Sequence, residues 1–281
     1  MQEPQEHRVV FLFDVDNTLL DNDRVLKDLR SYLETHFGGS SRERYFALFE
    51  QLRTELGYAD YLGALQRYRV ENPAEVRLLR MSSFLVDYPF ANRLYPNSLD
   101  AIEHCKRWGQ VVVLSDGDVV FQPRKVERSG IYEAVGGNVL IYIHKEEMLV
   151  DVESRYPAEH YVLVDDKVRI LTAVKEYWKE RVTTVFPRQG HYALDAKGVG
   201  SYAEPDVTIE RIGQLLEYDL YADESDAEGI VGRNSERDAV AVGRYTLSHV
   251  GNLSRRGEGR GFGVGSVCGG EPGGALGPAG V

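Results

Sequence analysis

Cysteine is nearly absent from this chain of 281 residues. The two present, Cys105 and Cys268, stand far apart in unlike surroundings, so no disulfide framework or cysteine-based zinc site can be built, and a reducing, cytoplasmic setting is expected. Long apolar runs are also missing: Val9-Val10-Phe11-Leu12-Phe13 is the longest early one, and the stretch Met1 to Arg8 before it is polar and acidic. Neither a secretory leader nor a membrane partner is expected from such a pattern. Cations are outnumbered, with 33 Lys plus Arg against 44 Asp plus Glu and a formal charge of −11. Without a Lys/Arg run, that balance argues against nucleic acid as a partner. The seven histidines show no metal-ligand spacing, and only His144, beside Lys145, stands near other polar residues of interest. Large apolar residues become scarce after Tyr221. Residues 222–281 hold 15 of the 28 glycines, and their 6 Arg are outnumbered by 8 Asp plus Glu, which reads as a disordered tail rather than an RNA-binding segment.

What is present supports a packed core, since 43% of the residues are hydrophobic. Five apolar or β-branched runs read as buried strands: Val9 to Phe13, Val111 to Leu114, Val139 to Ile143, Tyr161 to Val164 and Val182 to Phe186. Near-continuous apolar strands are covered on both faces, and helical periods separate them, so the expected fold class is α/β with a Rossmann-like parallel sheet. One expected helix carries Ile102, Cys105 and Trp108, with Ser98 as N-cap and Gly109 as its end. Another carries Ile170, Leu171, Val174 and Trp178, and a last one Ile209, Ile212, Leu215, Leu216 and Leu220.

About 95 residues without strand signal separate the first two strands, far more than a crossover needs. Within them Leu26, Leu29 and Leu33 mark one helix face, Tyr45, Leu48, Phe49, Leu52 and Leu56 a second, and Tyr58, Tyr61, Leu62, Leu65 and Tyr68 a third. Val76 and Leu79 point to a fourth. The reading is a core made of 1–23 and 93–221, an inserted helical domain at 24–92, and the tail.

The chemistry gathers at strand ends. The first strand runs into Asp14-Val15-Asp16-Asn17-Thr18, two carboxylates at alternate positions, which in an extended chain address one ligand and call for a cation between them. Ser115-Asp116-Gly117 follows the second strand, His144-Lys145 the third, and Asp165-Asp166 the fourth. In an open parallel sheet all meet on one edge, where ligands bind.

This set, an Asp-x-Asp-x-Thr motif, a Ser/Thr after the second strand, a Lys and a paired-acid motif, resembles the haloacid dehalogenase superfamily over about residues 8 to 215. The resemblance implies Asp14 as nucleophile of an aspartyl phosphate, and Mg²⁺ held by Asp14, the carbonyl of Asp16, and one or both of Asp165 and Asp166. It implies Lys145 gripping Asp14 and the phosphoryl oxygens, Ser115 with Asp116 and Gly117 in the phosphate-binding turn, and Thr18 steadying the first loop. Asp16 would protonate the leaving alcohol and later activate water. Because members that dehalogenate lack this second Asp, the implied activity is hydrolysis of a small phosphorylated metabolite, with phosphotransfer, mutase chemistry or a silent binding protein as alternatives. Asp116 departs from the family's usual Asn and adds charge beside the site, which would either weaken substrate affinity or set Asp116 against a substrate hydroxyl or amine. The insertion resembles the family's cap, whose Arg42, Arg44, Arg53, Arg67, Arg69, Arg77 and Arg80 are candidate substrate-reading cations.

Overall fold

The computed structural model describes residues 7–218; Cys268 and the stretch read as a disordered tail, 222–281, lie outside the described residues. Six strands form one sheet in the order β3-β2-β1-β4-β5-β6, and every pairing is parallel. They are β1 (His7–Phe13), β2 (Gln110–Asp116), β3 (Val139–Tyr142), β4 (Ala158–Val164), β5 (Val182–Pro187) and β6 (Val207–Ile209). The helices are α1 (Asn22–Phe37), α2 (Gly39–Leu56), α3 (Tyr61–Glu71), α4 (Leu78–Val86), α5 (Ser98–Cys105), α6 (Phe121–Arg128), α7 (Ile131–Ala134), α8 (Leu149–Arg155), α9 (Val168–Trp178) and α10 (Gly190–Leu194).

Successive strand residues face opposite ways, and the core divides accordingly. Val9, Phe11, Phe13, Val111, Val113, Val162 and Val164 join one apolar cluster with α5, α6 and α7. Val10, Leu12, Val112, Leu114, Tyr161 and Leu163 join the other, with α8 and α9. The first cluster continues without a break into α1 to α4 through Phe121, whose ring lies 4.6 Å from that of Tyr61 and 5.6 Å from that of Phe90. The chain leaves the sheet and returns to it through one paired crossing: Leu20 bridges Leu94, and the Asp21 N–H donates to the Arg93 carbonyl at 2.7 Å.

Several local expectations are corrected. Ile209 closes β6 instead of starting a helix, and Ile212–Glu217 forms a short 3₁₀ turn. A three-residue edge strand is too short for its period to show. Ser98 does not cap α5; Asn97 occupies that place at φ 66°, and the Ser98 hydroxyl donates to the Leu19 carbonyl at 2.7 Å. Tyr58 precedes α3, and Val76 and Leu79 face solvent at 88% and 76% exposure, so they contribute nothing to the interior. Among the described residues no helix is long and apolar enough to cross a membrane.

Candidate active site

Parallel register brings the ends of β1 to β4 to one edge, and the groups they carry converge there. Oxygens of Asp14, Asp165 and Asp166 lie within 4.8 Å of one another, and all three residues are buried. Between them sits Lys145, fully buried in a short 3₁₀ turn after β3. Its Nζ donates to Asp14 Oδ1 at 2.6 Å and to the Leu114 carbonyl at 3.1 Å, and lies 2.6 Å from Asp165 Oδ2 at an angle that makes this an ion contact and not a hydrogen bond. Thr18 spans the cluster: its hydroxyl donates to Asp14 Oδ2 at 3.2 Å and accepts from the Asp166 N–H at 3.0 Å.

Burial disfavours charge, and it pushes the carboxyls of Asp165 and Asp166 above their ordinary range, with the neighbouring acids adding to the rise. Burial opposes the charge of Lys145 too, but Asp14 and Asp165 outweigh it and hold the ammonium firmly protonated. Neither oxygen of Asp166 has a hydrogen-bond partner. Buried oxygens without donors are costly, and a divalent cation bound by carboxylates relieves that cost. The donor set is therefore one that fits a hard cation such as Mg²⁺.

Asp16 stands apart from this cluster. Its Oδ1 accepts from Lys125 Nζ at 2.5 Å, and the same ammonium donates to Asn22 Oδ1 at 3.1 Å. Asp16 is thus not among the clustered carboxylates; only its carbonyl remains available for the metal role assigned to it by resemblance. Ser115 Oγ accepts from Gln122 Nε2 at 3.0 Å and donates to the Asp116 carbonyl over a long 3.5 Å, a bond weak enough for a ligand oxygen to replace. Asp116 Oδ1 accepts from the Lys145 N–H at 2.7 Å, so one oxygen of this acid anchors the lysine's own loop, and burial raises its carboxyl above the usual range.

Two of these supports went unread in the sequence. Gln122 and Lys125, three residues apart, put two polar side chains on the buried face of α6, both less than 3% exposed. Apolar periodicity cannot announce such a face. Gly117 permits it: a Cβ at that position would lie 2.5 Å from the Cβ of Gln122. Gly117→Ala is therefore expected to displace α6 and cost about 1–3 kcal/mol, measured by denaturant unfolding. Native-like stability would show that the helix has room to spare.

A cavity of about 800 Å³ opens from this edge toward α1, α2 and the α2–α3 loop. Asp16, Asp116, Gly117, His144 and Lys167 line it from the sheet side, and Leu26, Phe49, Arg53, Tyr58 and Tyr61 from the helical side. Of the seven arginines proposed as substrate readers, Arg53 alone reaches it. Arg42, Arg44, Arg67 and Arg77 pair with surface glutamates, and Arg69 and Arg80 do not line it. The loop after β5, unremarked in the sequence, fastens the two sides. Gln189 Nε2 donates to the Thr18 carbonyl at 3.0 Å, the His191 N–H donates to Asp23 Oδ2 at 2.8 Å, and Tyr192 meets Arg53 through its hydroxyl. Burial works to raise the Asp23 carboxyl, but its bonds to His191 prevail and leave it below the ordinary range.

A family model described as haloacid dehalogenase-like hydrolase matches residues 9–177. A solved chain from Burkholderia xenovorans, described as a haloacid dehalogenase-like hydrolase, is 63% identical; the match covers 76% of this chain and 100% of that one, with a TM-score of 0.73. Two further structures share the fold. One is a haloacid dehalogenase-like family hydrolase of Xanthomonas campestris (14% identity, 74% and 89% covered, TM-score 0.53), the other the L-2-haloacid dehalogenase of Xanthobacter autotrophicus (17%, 74% and 96%, 0.50). No curated protein matches the chain.

Proposed function

The chain belongs to the haloacid dehalogenase-like hydrolases, and from that premise we propose that it hydrolyses a small phosphomonoester through an aspartyl phosphate on Asp14. The observation that carries this reading is Asp16. A second carboxylate two residues beyond the nucleophile lines the cavity and is held by Lys125, in reach of a leaving group that needs a proton.

A phosphomonoester dianion repels a carboxylate nucleophile, so charge must be offset before attack. At 4 Å and an effective dielectric near 20, each pair of unit charges interacts by about 4 kcal/mol. Lys145 offsets part of the charge by holding Asp14 Oδ1, and the position of that bond orients the carboxylate. Mg²⁺ at Asp14, Asp165 and Asp166 would supply further positive charge and polarise the phosphoryl oxygens. A carboxylate oxygen of Asp14 attacks phosphorus, the bond to the leaving oxygen breaks, and Asp16 delivers the proton that the departing alcohol needs. Asp16 then takes a proton from water, the water oxygen attacks the same phosphorus, and the bond to Asp14 breaks to release phosphate. Ser115, its hydroxyl oriented by Gln122, donates to a phosphoryl oxygen. The helices α1 to α4 would act as the cap, excluding water and reading the leaving group.

The test is a panel of phosphorylated metabolites and an aryl phosphate with Mg²⁺, run beside 2-haloalkanoates. Release of inorganic phosphate is expected; halide release without phosphate release replaces this reading with dehalogenation. A product phosphorylated on a second hydroxyl identifies transfer instead of hydrolysis. Asp16→Asn is expected to lower kcat by about 10²- to 10⁴-fold and to let phosphoenzyme accumulate in acid-quench trapping. Unaltered turnover in that variant removes Asp16 from the chemistry.

A further inference from the structure

Lys145 commits two of its three N–H groups within the protein, to Asp14 Oδ1 and to the Leu114 carbonyl, with Asp165 Oδ2 in ion contact at 2.6 Å. At most one N–H is left for a substrate oxygen.

Lys167 is in the opposite condition. It follows the Asp165-Asp166 pair directly, and its N–H donates to Asp165 Oδ1 at 2.8 Å, which fixes the entry into α9. Its side chain is half-buried and lines the cavity. Among the described residues no oxygen accepts a hydrogen bond from its Nζ and no carboxylate pairs with it. Its Nζ lies over the ring of Tyr192, 5.5 Å from the centroid. The acids that act on it most strongly are Asp14, Asp166 and Asp165, which puts the ammonium on the nucleophile's side of the cavity. Of the other cations nearby, Arg169 pairs with Glu146 at 2.6 Å, Lys125 with Asp16, Arg53 meets Tyr192 and Arg30 lies over the ring of Phe46, while Lys27, exposed on α1, lines the helical side of the cavity. The donors of Lys167 are thus uncommitted among the described residues, and the cavity its side chain lines is where a ligand oxygen would meet them.

We propose that Lys167 is a second cation that binds the phosphoryl group, through a non-bridging oxygen of the phosphomonoester or of the phosphate product, beside Lys145, which positions Asp14 and keeps at most one N–H for the same group. This assignment rests on reading the site as one for phosphoryl chemistry, and it names a binding residue that the family motifs do not contain.

The experiment uses the full chain with Mg²⁺ and titrates inorganic phosphate calorimetrically into wild type, Lys167→Gln and Lys167→Arg, with thermal melts to verify folding. Lys167→Gln is expected to bind phosphate about 10- to 100-fold more weakly, with KM raised by a similar factor and kcat changed less; Lys167→Arg, which keeps the charge, recovers part of the affinity. Wild-type phosphate affinity in Lys167→Gln overturns the assignment. So does a loss confined to substrates with a second anionic group, which places the lysine on the leaving group. Absence of phosphate binding by wild type overturns it as well. Because heat is read without turnover, a wild type that hydrolyses nothing but whose phosphate affinity depends on Lys167 sinks only the hydrolase reading.

Discussion

Asp14→Asn is expected to abolish turnover, by about 10⁴-fold or more, while leaving the fold intact. The amide is nearly the same size as the carboxylate; its oxygen still accepts from Lys145 Nζ, and its NH₂ takes the place of Oδ2 and donates to the Thr18 hydroxyl oxygen, so the buried packing around it survives. What disappears is the nucleophile. An amide oxygen cannot form the acyl phosphate that splits one slow displacement into two easier ones, and the remaining groups bind without reacting. The measurement is phosphate release under saturating substrate, together with trapping of labelled phosphoenzyme, which should be seen in wild type and not in the variant. Activity within tenfold of wild type would move the nucleophile elsewhere and dismantle the reading of the whole edge.

Lys145→Met carries the second large effect, and this one reaches stability as well as chemistry. The substitution preserves most of the volume and deletes the charge at a position with no solvent exposure. Asp14 and Asp165 would then face each other, and Asp166, without the counter-ion that their burial requires. Removing one partner of a buried ion pair costs about 3–5 kcal/mol, because the other charge is left stranded. For a domain of this size each kcal/mol lowers Tm by roughly 2–4 °C. The sign with pH follows from Lys145 itself, whose charge is favoured in the fold beyond its ordinary value. Its contribution is fully present at neutral pH and fades only in strong alkali, so at neutral pH wild type keeps the whole advantage. The deficit in the variant should narrow as the medium is acidified, since burial already biases Asp165 and Asp166 toward the protonated form. Melting curves from pH 5 to 8 in the absence of divalent metal measure this. An equal Tm for the two proteins at neutral pH would show that Lys145 is a bystander to the acids.

The parts of the fold legible in the sequence were those where burial is one-dimensional. β1, β2, β4 and β5 are covered on both faces, so they read as runs of apolar or β-branched residues, and the polar groups of β1, β2 and β4 mark the strand ends. β6 escaped notice because Val207-Thr208-Ile209 is an edge strand with one polar position exposed, and its last residue was absorbed into an apparent helical stripe. Ser98 misled for a different reason. A serine before a helix has the chemistry of a cap, but tertiary contact with the Leu19 carbonyl claimed its hydroxyl. In the site, Asp14, Thr18, Lys145, Asp165 and Asp166 come together while Asp16 stands aside on Lys125, and the supports were hidden: Gln122 and Lys125 lie on a helix whose composition advertises nothing. Lys167 stands in plain view beside Asp165-Asp166, yet that its side chain lines the cavity over the ring of Tyr192 needs coordinates.

The loop after β5 binds the turn of Asp14 to Thr18 through Gln189, presses Gly190 against Asn17, and grips Asp23 through His191. Part of the fastening of the helical segment is thus encoded 168 residues downstream of that segment's first turn. Anyone building chimeras, by transplanting residues 22–93 between relatives to exchange substrate range, should carry this loop in the same graft; a transplant without it would seat foreign helices on a mismatched clasp.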